Sequence, residues 1–297
     1  MKKSGRHLHA VRKVRFQFIE DYRNEFHIVK MCEVLKVSKS GYYAWKRRKP
    51  DIEDKALMDL IGQIFRENKG RYGYRRVHKE ICRMGIVVNQ KRVARLMRQM
   101  GLKGRAKKQY RSLTDSKHNR PVSENLVAQN FKVDQANRIW LSDITYIKTL
   151  EGWLYLAVVM DLYSRRILGW ELSSTLAKEI VIGALSKALT MYRVEDHLIF
   201  HSDRGVQFTS DEFRSILSVY GVEQSMSGTG NCYDNAPMES FFNTLKAELV
   251  RTESITTNYM TRNKIFEYIE IYYNKKRLHS SLQYRTPDEV YFNKLYD

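Results

Sequence analysis

The sequence predicts two structurally different halves: an all-α, helix-turn-helix region first, then an α/β core with a mixed five-stranded sheet and helices. Three observations carry this. The hydrophobic period changes from helical to extended near residue 139. The later half begins with three strand-like runs before any helix. The charge is also split along the chain.

Residues 1 to 120 hold 33 Lys+Arg against 11 Asp+Glu, a net of +22. That leaves 52 − 33 = 19 basic and 33 − 11 = 22 acidic residues beyond, a net of −3. The whole chain, 297 residues at +19, carries far more charge than solubility needs and points to a polyanion partner. At 43% hydrophobic residues it can bury a sizeable core. The three cysteines, Cys32, Cys82 and Cys232, form no C-x-x-C pair, so neither a disulfide framework nor a zinc site is indicated. The start, MKKSGRHLHAVRKVRF, is basic without the apolar stretch of a signal peptide, and no later run is long and apolar enough to span a membrane. A reducing, soluble compartment is expected.

In the basic half, FHIVKMCEVLKVSKSGYYAWKRRK at 26 to 49 reads as two short helices. Met31, Cys32 and Leu35 form one stripe, Ser38 is the N-cap of the second helix, and Tyr42 and Trp45 point inward. The second helix ends in Lys46, Arg47, Arg48 and Lys49, a cationic turn that also suits the helix dipole. From 53 to 104 three further helices are expected: about 54 to 68, about 75 to 84 after RYGYRR, and a third that Asn89 caps and Gly101 ends. Three helices with a tight middle turn is a DNA-reading arrangement. In the third, Val93, Leu96, Met97 and Met100 make the core stripe, while Lys91, Arg92, Arg95, Arg98 and Gln99 take the other face. Four cations without an acid on one helix repel each other unless phosphates are nearby. Arg75, Arg76, Lys91, Arg92, Arg95 and Arg98 are therefore the DNA-binding candidates. The polar, basic stretch 105 to 130 reads as a linker, its cations either tracking along DNA or keeping it extended.

The second half reads as strands at 139 to 147, 153 to 161 and 165 to 172, a helix at 177 to 192, a strand at 197 to 202, a helix at 210 to 220, a strand at 222 to 226 and a helix at 234 to 250. This order matches a ribonuclease-H-like arrangement. The expected divisions are 1–50, 51–104, 105–130, 131–252 for the catalytic core, and a helical extension at 253–297.

Three carboxylates stand out. Asp143 interrupts an apolar, β-branched strand, where a carboxylate needs compensation for its desolvation. Asp203 lies where the run Leu198, Ile199, Phe200 stops, at a strand's carboxyl end, the usual site position in open α/β sheets. Glu239 sits on the last helix. At 100° per residue Asn235, Glu239 and Lys246 share one flank of its apolar stripe. Asp161 and Asp234 read as a hairpin residue and a helix N-cap, and His201 as a strand residue with a satisfied ring. The aromatic and cationic run YYNKKRLHSSL could contact DNA or close the core.

Fifty-nine residues separate the first two acids and 35 the second pair, with Lys246 seven residues after the glutamate. This spacing resembles the D,D-35-E recombinase superfamily of retroviral integrases and bacterial transposases. Within it the chain is most similar to insertion-sequence transposases of the IS-three type, specifically their second reading-frame product. The likeness runs from about residue 20 to 292. It rests on LKVSKSGYYAWKRR, GRYGYRRV, NRIWLSDITYI, YLAVVMDLYSRRILGW, HSDRGVQFTS, QSMSGTGNCYDNAPMESFFNTLKAE and YYNKKRLHSSLQYRTPDE.

The resemblance implies metal-dependent nicking and strand transfer at the ends of a mobile element. Asp143, Asp203 and Glu239 would then be the catalytic residues and hold two Mg²⁺ ions, with Mn²⁺ as a substitute, about 3.5 to 4 Å apart. Lys246 would contact phosphate near the terminal bases. The implied partners are the terminal inverted repeats and target DNA, a homo-oligomer on DNA, and the upstream reading-frame product, in a bacterial cytoplasm at the nucleoid. Unlike retroviral integrases, the chain has no His/His/Cys/Cys zinc spacing, and it shows no heptad run. The competing readings are a ribonuclease-H-type nuclease, which should lack the N-terminal DNA-reading module, and a catalytically silent DNA-binding regulator, which the presence of all three acids disfavours.

Overall fold

A computed structural model describes residues 12–47, 54–105, 122–194, 196–228, 232–250 and 257–292. The chain divides into two units, Met1–Lys103 and Gly104–Asp297. In the first, helix α1 (Arg12–Asp21) precedes the two expected short helices, α2 (Ile28–Val34) and α3 (Lys39–Arg47). Phe16, Ile19, Met31, Cys32, Leu35 and Tyr42 form their common core, with Trp45 packed against it. Ser38 Oγ accepts the Gly41 N–H at 3.1 Å, so this serine starts α3 as its position predicts. Arg48 and Lys49 lie outside the described residues.

Helices α4 (Asp54–Glu67), α5 (Tyr74–Arg83) and α6 (Gln90–Gln99) follow at the expected places. Val77 and Ile81 of α5, and Val93, Leu96 and Met97 of α6, bury the stripe facing Leu57, Ile61 and Ile64 of α4. Gly85 takes φ +79° between α5 and α6, a left-handed turn that a side chain would strain. Asn89 Oδ1 accepts the Lys91 N–H at 2.8 Å and caps α6.

The second unit is built on a five-stranded sheet in the order β3-β2-β1-β4-β5. Strands β1 (Ile139–Thr149), β2 (Gly152–Asp161) and β3 (Ile167–Ser173) form an antiparallel meander. After α7 (Glu179–Met191), β4 (Ile199–Ser202) adds parallel to β1; after α8 (Asp211–Val219), β5 (Glu223–Met226) adds parallel to β4. Trp140, Ala157, Val159 and Leu168 of the sheet share a core with Ile180, Val181, Ala184, Leu185 and Ala188 of α7. Gly169 permits that approach, since a Cβ there would stand 2.2 Å from the Ala184 carbonyl oxygen.

The helix expected over 234 to 250 is composite. A 3₁₀ turn (Cys232–Asn235) leads into α9 (Ala236–Leu245), which widens into a π-helical turn at Lys246–Val250. Ala247, Glu248 and Leu249, three consecutive positions of this turn, are all buried. Glu248 pairs with Arg277 at 2.7 Å and accepts the Tyr268 hydroxyl at 2.9 Å, with both charged side chains 4% exposed or less.

The extension expected at 253 to 297 is therefore part of the same unit over its described residues. Helix α10 (Asn258–Phe266) runs into a second π-helical stretch, Glu267–Tyr273, before α11 (Pro287–Tyr291). Asn274 exchanges two hydrogen bonds with the Ile167 backbone, at 2.9 and 3.0 Å, and so extends the ladder at the edge of β3. The run YYNKKRLHSSL thus closes the core with Tyr272, Tyr273 and Arg277 buried.

The linker expectation also needs correction. Residues 106–121 lie outside the described residues, but 123 to 127 dock against β5. The Glu124 carbonyl accepts the Met226 N–H at 3.1 Å, and the Leu126 N–H donates to Ser225 Oγ at 2.9 Å. Val127 is buried at 2% exposure, so this stretch covers a strand edge instead of staying solvated.

Removing one member of a buried ion pair strands the other charge, at a cost of about 3 to 5 kcal/mol. Arg277→Met should lower the stability measured by urea unfolding by about that amount, and adding Glu248→Gln should restore part of it. A single variant with an unchanged midpoint would contradict this account.

Candidate functional site

The site forms where the sheet opens. Pairing between β1 and β4 ends at Leu141, opposite His201, while β1 continues to Thr149. The first carbonyl past that point, Ser142, accepts the Asn235 Nδ2 at 3.1 Å. Asn235 is the N-cap of α9, so this bond ties the start of α9 to β1 beside Asp143. Glu239 follows one helical turn later. Asp203 comes directly after β4, and its Oδ1 accepts the Gly205 N–H at 3.0 Å. The Asp143 carboxylate accepts the N–H of Ile144 at 2.7 Å. All three acids are half-buried.

Their electrostatics place them in one neighbourhood. Burial pushes the Asp143 carboxyl well above the usual carboxylate range, and Asp203 and Glu239 push it further. The Ile144 N–H and Lys246, half-buried at the start of the π turn, oppose the rise. Burial also raises the Glu239 carboxyl. Asp203, Glu239 and Lys246 thus all lie within electrostatic reach of Asp143.

The donor set is carboxylate oxygen, which suits a hard divalent cation. Asn235 Oδ1 adds a buried acceptor with no hydrogen-bond partner, which a hydrated cation would satisfy. Among the described residues, however, no three His, Cys, Asp and Glu side chains are gathered into a ready metal cage. The chemistry of the donors fits the metal, while Asp143 and Asp203 each accept a backbone N–H.

Around the acids are groups that support the backbone. His201 is fully buried, with Ser225 Oγ 2.8 Å from Nδ1 and Ser227 Oγ 3.2 Å from Nε2. Burial pulls its pKa down to about 4, against the opposing charge of Asp234, so the ring is neutral. Asp161 is the hairpin residue its position predicts, accepting the Ser164 and Asn137 N–H groups at 2.8 and 2.9 Å. Asp234 is not the α9 N-cap, because Asn235 holds that position. Its carboxylate instead accepts Asn125 Nδ2 and the Gly228 N–H, both at 2.8 Å, and so fastens the docked 123–127 stretch to the loop ahead of α9. Asn125 and this use of Asp234 had no local signal in the sequence.

Of the basic candidates in the first unit, Lys91 and Arg98 are exposed on α6. Arg92 and Arg95 both reach Asp54 at the start of α4, at 2.7 and 2.9 Å. Arg95 and then Arg92 hold the Asp54 carboxyl below its usual range. Mutual repulsion on α6 is thus relieved in part by an acid 38 residues away in sequence, so phosphate is not the only possible counter-charge. Arg75 lies over the Tyr74 ring, 5.7 Å from its centroid, and Arg76 over Tyr72 at 5.6 Å.

A ribonuclease-H-like sheet with an acidic open edge, in one chain with a three-helix basic unit, defines an integrase-core protein bearing a helix-turn-helix-like region. The family models agree: "Integrase core domain" matches residues 133–232 and again 220–287, and "HTH-like domain" matches 51–110. The transposase InsF for insertion sequence IS3A of Escherichia coli (strain K12) is 38% identical over 272 residues, covering 90% of this chain and 94% of that protein. The insertion element IS600 uncharacterized 31 kDa protein of Shigella sonnei is 41% identical over 255 residues, covering 85% and 94%. Among solved structures, a chain of the simian T-cell lymphotropic virus intasome with PP2A regulatory subunit B56 gamma is 13% identical, with a TM-score of 0.46 and coverage of 72% of this chain and 70% of that one. The chain belongs to the IS3 family of insertion-sequence transposases. Among its described residues no helix is long and apolar enough to cross a membrane.

The buried His201 yields a pH expectation. Its folded pKa of about 4 lies below its ordinary 6.5, so between these values the unfolded chain binds more protons and stability falls as pH falls. Thermal unfolding followed from about pH 7 to about pH 4.5 should show this loss, and His201→Asn should lose less over the same window. Equal losses in both proteins would remove His201 as the cause.

Proposed function

We propose that this transposase is a metal-dependent polynucleotidyl transferase that nicks DNA at the ends of an insertion sequence and joins the freed 3′ ends to target DNA. The reading is supported by Asp143 at the open edge of β1, with Asp203, Glu239 and Lys246 within its electrostatic reach. In it the three carboxylates hold two magnesium ions, for which manganese would substitute. Bound there, the metal would neutralise charge on the scissile phosphate and activate the attacking oxygen.

The protein's own residues do the rest. Asp143 is raised by burial and by like charges, so its carboxylate gains from an incoming cation what it lacks from the fold. Asn235 holds the start of α9 on the Ser142 carbonyl and thereby sets where Glu239 stands. Lys246 supplies a point charge for a phosphate oxygen near the terminal bases. Residues 51–104 act as the DNA-reading module, in which Arg75, Arg76, Lys91, Arg92, Arg95 and Arg98 contact the duplex. Asp54 orients Arg92 and Arg95 for that contact. Segments 1–50, 131–252 and 253–297 serve as helical lead, catalytic core and closing extension, and 105–130 as a connector whose residues 123–127 dock on β5. Synapsis of two ends calls for a homo-oligomer on DNA, and the upstream reading-frame product is a further partner. The work is done at the bacterial nucleoid.

Cleavage and joining of DNA ends taken from the sequence flanking this gene test the assignment. With Mg²⁺ the wild type should cut and join. Asp143→Asn, Asp203→Asn and Glu239→Gln should each lose at least about 100-fold while binding the same DNA, and Lys246→Ala should lose about 10-fold. Full activity in Asp203→Asn would end this reading. Duplex affinity should also fall about 1,000-fold between about 50 and 200 mM salt if about six phosphates are neutralised. A flat salt response would remove the basic unit from DNA binding.

A further inference from the structure

The β1–β2 hairpin extends beyond the acids and carries an aromatic ladder that the site does not use. In its register Tyr146 stands opposite Tyr155, and Lys148 opposite Trp153. The two tyrosine rings meet edge to face at 5.4 Å, and Lys148 Nζ lies 5.9 Å from the centre of the Trp153 ring. Tyr146 is 44% exposed and Trp153 54%, an unusual placement for large rings unless something covers them. Cross-strand aromatic pairs do stabilise hairpins, but that role does not require the rings to stay this exposed.

Two further observations say what would cover them. The tip is braced: Glu151 accepts the Asn258 N–H at 2.8 Å, and Thr149 Oγ1 lies 3.2 Å from Asn258 Oδ1, at the start of α10. Lys148 is the cation held against the Trp153 ring, which favours an anionic partner there. The ladder also shares its strand with one of the acids. Tyr146 is three residues past Asp143 and so on the opposite face of β1, along the edge that β4 leaves open, and its hydroxyl lies within electrostatic reach of both Asp203 and Asp143.

We propose that Tyr146, Trp153 and Lys148, with Tyr155 beneath them, form a stacking platform for unpaired DNA bases flanking the scissile phosphate. The placement beside that phosphate rests on the proposed transferase activity. Every base offers a π face, so such a platform is indifferent to sequence, and the lysine takes the accompanying phosphate. It would hold the end of the duplex frayed while the backbone lies across the acids.

The test uses the full chain and an element-end duplex carrying 2-aminopurine in a short unpaired flank. Stacking quenches this base. Wild type should quench it on binding and should prefer the frayed end to the blunt duplex by about 10-fold. Trp153→Ala and Tyr146→Ala should lose both effects while keeping blunt-duplex affinity, and Trp153→Phe and Tyr146→Phe should keep both. Alanine variants that quench like wild type overturn the proposal, whatever the phenylalanine variants do. So does a wild type that neither quenches nor prefers the frayed end but self-associates through Trp153, which would give the face to a second copy. The readout needs no chemistry. Mg²⁺-dependent cutting without any quench overturns the platform alone, whereas quenching without cutting counts against the transferase reading and leaves base stacking in place.

Discussion

Everything at this site depends on placing a carboxylate inside a strand without completing the sheet around it. Asp143 sits in β1 among apolar and β-branched neighbours, and burial together with Asp203 and Glu239 raises its proton affinity. A full-length β4 would bury it further and cover the approach from that side. Instead β4 is four residues long and its pairing to β1 ends at Leu141. The carbonyl this exposes is taken by Asn235, and that hydrogen bond seats the helix bearing Glu239. One shortened strand thus creates the opening, places Asp203 at its end, and supplies the anchor for the third acid.

Holding α9 against that edge requires support from behind. Past Leu245 the helix changes from α to π winding, and the next turn buries Ala247, Glu248 and Leu249 together. That turn brings Glu248 to Arg277 and Tyr268, groups from the C-terminal segment. Lys246 begins that turn, so its position depends on the Glu248–Arg277 contact, which spans 29 residues of sequence. Asn274, bonded to both backbone groups of Ile167, anchors the same segment on the opposite side of the sheet. The chain's last stretch is in this sense part of the support for the helix that carries Glu239.

The basic unit shows a similar reliance on distant partners. Asp54 pairs with two arginines of α6, so two of the four cations on that face are already directed by protein. An exposed ion pair of this kind contributes little to stability. Its consequence is orientation: both guanidinium groups are held toward the start of α4, while Lys91 and Arg98 stay exposed.

By itself the sequence determined the elements and their order. Local hydrophobic period encodes whether a segment is helix or strand, and Ser38, Asn89 and Gly85 mark boundaries through their own backbone bonds or conformations. It also singled out Asp143 and Asp203, because a charged residue within an apolar strand or at a strand's end is conspicuous whatever the fold. The partners were decided only by tertiary structure. Asp234 looked like a helix cap but serves Asn125 and Gly228; residues 123–127 looked like linker but cover β5; the helix after Glu239 looked uniform but changes its winding. In each case the deciding contact joins groups that no local period relates. The free energy of burying a polar group depends on what meets it there, and that is set only when the chain has closed.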